Sequence, residues 1–190
     1  MIEHALVGLA LALGLGGGYL LARSRLRSGR RGAEPVHRIL LPFTGAEISV
    51  RAIDAALRLA RAEEAELMPA YLAEVPMRLP LDCSIPREAG KAMAMLEAIE
   101  QRAAAQGVPV DARIERGRSY RHALARLLGS ERVDRVVVPA GTADGGEGLS
   151  GEDLIWLIDK APAEVLILRP APGDALSPLA ANSGRAHAQL

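Results

Sequence analysis

Aromatic residues make up only 3% of this 190-residue chain, and Phe43 and Trp156 are its only Phe and Trp. That scarcity argues against a platform for stacking nucleic-acid bases. Lysine is nearly missing too: Lys91 and Lys160 stand against a basic complement that is otherwise arginine. Net charge is zero, with 23 basic and 23 acidic residues, so no bulk field recruits nucleic acid and none is expected as a partner. Cys83 is alone, which excludes an intrachain disulfide and a multi-cysteine zinc site. As a single loop thiol it reads as incidental and fits a reducing compartment. No metal site is expected.

The arginines are unevenly placed. Arg23, Arg25, Arg27, Arg30 and Arg31 crowd together directly after Ala5 to Ala22, a stretch without charge that is dominated by Leu, Ala and Gly. Eighteen residues span about 27 Å as a helix, enough for a bilayer core. A cleaved signal peptide would carry its positive segment first, but the chain opens Met1-Ile2-Glu3-His4. Residues 1–22 therefore read as a single-pass transmembrane anchor, with residues 5–22 in the membrane. The arginines place the C-terminal domain on the cytoplasmic face of the inner membrane. Ala10, Gly14 and Gly18 make a small-residue stripe that would let two such helices approach. Residues 23–35 read as an Arg-rich linker near anionic headgroups.

From residue 36 to 170 short apolar runs alternate with helical periodicity. His37-Arg38-Ile39-Leu40-Leu41-Pro42 is a strand closed by proline; Val50, Ile53, Leu57 and Ala60 mark a helix ending near Glu64. A second strand lies around Leu67 to Leu72, and Pro76, Pro80 and Pro86 punctuate a long loop. Ala92, Met95, Leu96, Ile99 and Ala103 line the next helix, which stops at Gly107; Val108 to Glu115 is a third strand. Tyr120, Ala123, Leu124, Leu127 and Leu128 stripe a third helix, Val136 to Pro139 is a buried strand, and Gly141 to Gly151 is a glycine-rich loop. Leu154, Leu157, Ile158 and Ala161 give a fourth helix and Val165 to Leu168 a fifth strand. This alternation predicts an α/β, flavodoxin-like or Rossmann-like, doubly wound five-stranded parallel sheet. Residues 171–190, rich in Ala, Pro, Ser and Gly, are expected to be a disordered tail.

The segments that succeed one another here resemble the universal stress protein family over about three quarters of the chain. Ile39 to Pro42 with Gly45 is similar to that family's opening strand and turn, and Ser49 to Arg61 to its first helix. Ala65-Glu66-Leu67 with Tyr71 to Pro76, Gly107-Val108, Val133 to Val138 and Lys160 to Arg169 come in the same order. The resemblance implies a small cytosolic stress-response module that forms a homodimer through its last strand. Some members bind ATP or AMP and others bind no nucleotide.

In the nucleotide-binding members an Asp stands after the first strand, and the corresponding residue here is Thr44. Their phosphate loop has glycines separated by two and then nine residues, ending in Gly-Ser or Gly-Thr at a helix start. The family-equivalent positions here are Gly141, Gly145 and Gly151, with Gly151-Glu152 on the closing pair and the loop about four residues short. Glu152 and Asp153 then occupy the first turn of the following helix, with Asp144 and Glu147 in the loop. Carboxylates there would satisfy the amides, each worth about 0.3–1 kcal/mol, and would repel a polyphosphate. The expectation is a binding or regulatory module without an intact ATP motif and with no cofactor. An ATP- or AMP-binding protein with a divergent loop is the alternative.

An enzyme of the wider nucleotide-using superfamily is the rival class. Its Ser-Gly-Gly phosphate loop and His-Ile-Gly-His-type signature are absent, as are a Walker loop, a nucleophile elbow and a dinucleotide fingerprint. His37 and His122 are isolated, so no catalytic residue is assigned. Arg116, Arg118 and Arg121 near Ser119 could form an anion site or simply a solvated helix face. Trp156 is expected to point away from a core face made by Leu154, Leu157 and Ile158. Exposed, it would mark an interface with an unidentified protein partner.

Overall fold

A computed structural model describes residues 37–45, 47–83, 85–141 and 148–169. The expected anchor at residues 5–22, the linker, the tail and Gly145 lie outside the described residues. Among the described residues no helix is long and apolar enough to cross a membrane.

Five strands and four helices alternate: β1 (Arg38–Phe43), α1 (Val50–Glu63), β2 (Glu66–Glu74), α2 (Pro86–Ala104), β3 (Arg113–Gly117), α3 (Tyr120–Ser130), β4 (Arg135–Pro139), α4 (Gly151–Lys160) and β5 (Glu164–Leu168). All neighbouring strands are parallel, in the order β3-β2-β1-β4-β5. The central strands are buried on both faces, so alternate residues feed two cores. Ile39, Leu41 and Phe43 pack beneath α1 and α2; Leu40, Met68, Leu72, Val136 and Val138 pack beneath α3 and α4.

Each helix begins and ends where local chemistry dictates. Ser49 caps α1 by accepting from Ala52 N–H, and Glu64 closes it in the left-handed region at φ 57°. Pro86 opens α2, and Gly107 at φ 68° turns the chain out of it. Ser119 caps α3 by accepting from His122 N–H.

Three expectations are corrected. β1 runs through Pro42 to Phe43, because the fixed φ of proline is compatible with an extended strand. The third strand is not Val108 to Glu115 but Arg113–Gly117, with only a single bridge between Leu67 and Val110 before it. Pro109 has no N–H to give; its carbonyl accepts from Leu67 N–H at 2.9 Å, and the regular ladder starts later on a charged edge strand. On α4, Ile158 is 61% exposed while Trp156 is half-buried against the α3 side of the core. Both sit about 100° from the fully buried Leu157, on opposite flanks. The flank toward α3 is covered, where the Arg121 guanidinium lies 5.9 Å from the Trp156 ring centre. The other flank has no neighbouring helix among the described residues.

Candidate functional site

The order β3-β2-β1-β4-β5 reverses direction between β1 and β4. The connection after β1 goes to one face and the connection after β4 to the other, so the carboxyl ends of these two strands splay into a crevice. Thr44, half-buried, and Gly45, at φ 76°, come after β1 there. Ile48 is buried and anchors the turn before α1.

On the β4 side the chain leaves at Ala140-Gly141 and returns at Gly148-Leu149. Two backbone bonds pinch the excursion, Leu149 N–H to Pro139 O at 3.1 Å and Gly141 N–H to Leu149 O at 2.8 Å. The pinch needs glycine twice. A Cβ on Gly148, which sits at φ 109°, would lie 2.5 Å from Pro139 O, and one on Gly141 would lie 2.9 Å from Leu149 O. At Gly151, the first residue of α4, a Cβ would meet nothing. Thr44 and Gly141 thus flank the crevice, and Gly151 starts the helix beside it.

The start of α4 differs from the expectation. Ser150, not a carboxylate, caps it: its Oγ accepts from Asp153 N–H at 3.2 Å and donates to Asp153 Oδ2 at 2.7 Å. Asp153 Oδ1 takes two bonds from Arg121, at 3.1 and 3.0 Å. The Asp153 charge is therefore answered from α3, while Glu152 stays exposed at the helix start. Ser150 was legible from its spacing, Ser-x-x-Asp before an apolar run.

The floor near β2 is aromatic. Phe43 and Tyr71 stand opposite one another in the ladder with rings edge to face, 5.5 Å between centres. Tyr71 Oη donates to Glu88 Oε2 at 2.6 Å, and Lys91 holds the other oxygen at 3.0 Å. Burial, then the bond to Glu88, raises the Tyr71 phenol well above its ordinary pKa, so it stays a donor. Burial followed by the charges of Glu74 and Glu88 also raises Tyr120. Nothing in the sequence pattern tied Tyr71 to Glu88.

The arginines around Ser119 do not converge. Arg118 turns to the Pro76–Ile85 loop and donates to Pro76 O at 2.7 Å and Leu79 O at 2.8 Å; Arg121 goes to Asp153. His122 Nδ1 accepts from Arg118 N–H at 3.1 Å, which gives that histidine a structural role. Among the described residues no group of His, Cys, Asp and Glu could hold a metal ion.

Residues 35–169 match the sequence model described as the universal stress protein family. The chain belongs to the universal stress protein family. Solved structures agree on the fold. A universal stress protein family member from Burkholderia pseudomallei is 22% identical, with a TM-score of 0.54 over 73% of this chain and 99% of that one. A universal stress protein solved in complex with cAMP is 20% identical, with a TM-score of 0.53 over 73% and 100% of the two chains. One from Archaeoglobus fulgidus, in complex with dAMP, is 14% identical, with a TM-score of 0.52 over 70% and 98%. No curated protein matches the chain.

Proposed function

We propose that this universal stress protein domain is a non-catalytic binding and regulatory module whose crevice takes a small ligand carrying at most one phosphate. The start of α4 carries this reading. Ser150 already occupies the capping position, and Glu152 presents an exposed carboxylate where a triphosphate would lie. Thr44 offers the opposite wall a hydroxyl without charge. Relatives solved with cAMP and dAMP favour a mononucleotide as the ligand class. Titration calorimetry of the purified full chain with AMP, cAMP and ATP tests it. AMP or cAMP should bind at least about tenfold more tightly than ATP, a difference of about 1.4 kcal/mol. Micromolar ATP binding would sink the proposal.

Two further parts of the reading concern placement. The uncharged residues 5–22 and the five arginines after them support an anchor with the domain on the cytoplasmic side. Alkaline carbonate extraction should leave the chain in the membrane pellet. A homodimer through β5 is supported by its open side and by the exposed apolar residues Ile155, Ile158 and Ile167 around it. Ile158→Glu with Ile167→Glu should convert dimer to monomer in light scattering.

A further inference from the structure

Two helices cannot cover five strands on one face. α1 lies over β1, β4 and β2, and α2 lies over β2. β5 sits beyond α1, so Leu166 and Leu168 are only half-buried on that face. A groove of about 380 Å³ remains between α1 and the end of β5, with Leu168 and Ala55 among its lining residues. Its charged lining is Arg51 and Arg58 from α1, Arg169 after β5, and Asp54. Arg51 and Arg58 are two helical turns apart on one stripe, about 10 Å along the axis. Asp54 does not cancel them, because both its oxygens are held from α2 by Arg102, at 2.9 and 3.2 Å. Arg58 and Arg169 have no ion-pair partner among the described residues, and both are exposed.

We propose that this groove is a second ligand site, taking a small soluble molecule that bears a phosphomonoester or pyrophosphate group. Arginine suits such a ligand, because its planar fork matches phosphate oxygens two at a time and stays charged at any physiological pH. The volume falls within the range of small-molecule sites, and the half-buried Leu168 gives the non-phosphate part an apolar contact. A concave site between a helix and a strand end suits a compact molecule better than a flat lipid surface. The groove and the crevice are lined by different residues, so the two proposals stand or fall separately.

Inorganic pyrophosphate is the probe, titrated into the full chain by calorimetry. It should bind, and binding should weaken as salt rises. Arg58→Gln with Arg169→Gln should weaken it at least tenfold, about 1.4 kcal/mol. Both side chains are exposed, so the fold should survive, and unchanged circular dichroism checks this. Asp54→Asn removes the one lining carboxylate and releases Arg102, so it should tighten binding. Vesicle flotation of the same proteins, on phosphatidylcholine with and without phosphatidylglycerol, separates the sources. The inference is overturned by failure of pyrophosphate to bind, by binding that ignores the double substitution, or by an Arg58- and Arg169-dependent interaction seen only with phosphatidylglycerol.

Discussion

The two ends of the sheet are built differently. At the amino end, charge is matched with charge. Arg38 meets Glu66 at 3.0 Å, Glu131 at 2.7 Å and Asp111 at 3.6 Å, and Arg135 bridges Glu63 and Glu164 at 3.1 and 2.6 Å. Asp134 accepts from the backbone N–H groups of His37 and Arg38 and ties β1 to the entrance of β4. At the carboxyl end the contacts are mostly to backbone: the glycine pinch of Gly141 and Gly148, the Arg118 clamp on the carbonyls of Val75, Pro76 and Leu79, the serine caps. Ion pairs of partly exposed side chains are individually weak and replaceable. Close backbone approaches are not, because no other residue fits. The end that carries the crevice is therefore the one with the least tolerance for substitution.

Substitutions that set one end against the other test that contrast. The largest effect is expected at Gly117, where a Cβ would lie 2.3 Å from Ala123 N and 2.7 Å from Ser119 O, all rigid backbone. Gly117→Ala should cost about 3 kcal/mol, read from the urea midpoint. If any single amino-end charge costs more, the contrast is lost. Arg118→Ala should come second at about 2 kcal/mol, since it unties the Pro76–Ile85 loop. A readout specific to the loop is faster alkylation of the half-buried Cys83.

Next comes Asp134→Asn, at about 1 kcal/mol. Burial would raise the Asp134 pKa, but the two backbone N–H bonds outweigh it and hold the carboxyl below its ordinary value. A depressed carboxylate stabilises the fold above its unfolded pKa and loses that contribution as pH falls through the folded value. Wild-type stability should thus fall below about pH 4, and the Asn variant should fall less steeply over the same range. Smallest is Arg126→Ala, which breaks only the exposed pair with Glu115 at 2.9 Å. A change of a few tenths of a kcal/mol, shrinking in high salt, is expected in the same urea assay.

How much of the molecule is legible in its sequence obeys the same division. Helices declare themselves through periodicity, and all five apolar positions read for α2 are buried. Central strands declare themselves as unbroken apolar runs, because both their faces are covered. The edge strand β3 does so only in part: Val108 to Glu115 reads as a strand, while the ladder forms on Arg113–Gly117, whose half-exposed sides accept charge. Trp156 and Ile158 are interchanged because periodicity gives an angle around a helix but not which flank has a neighbour. At the site, the glycines and Thr44 are visible as a departure from the family pattern. The answering of Asp153 by Arg121, 32 residues away, is not, and neither is the Tyr71–Glu88 bond. Long-range side-chain pairing leaves no local periodicity.

The two borders of the sheet differ as well. β3 offers Arg113, Glu115 and Arg116, whereas β5 offers Val165, Leu166, Ile167 and Leu168. Strand addition can proceed across an apolar border and is stopped by a charged one. Under the pairing at β5 proposed above, the chain would be monofunctional in the polymer sense: both outer borders of the pair would carry charge, and growth into a filament would stop at two units.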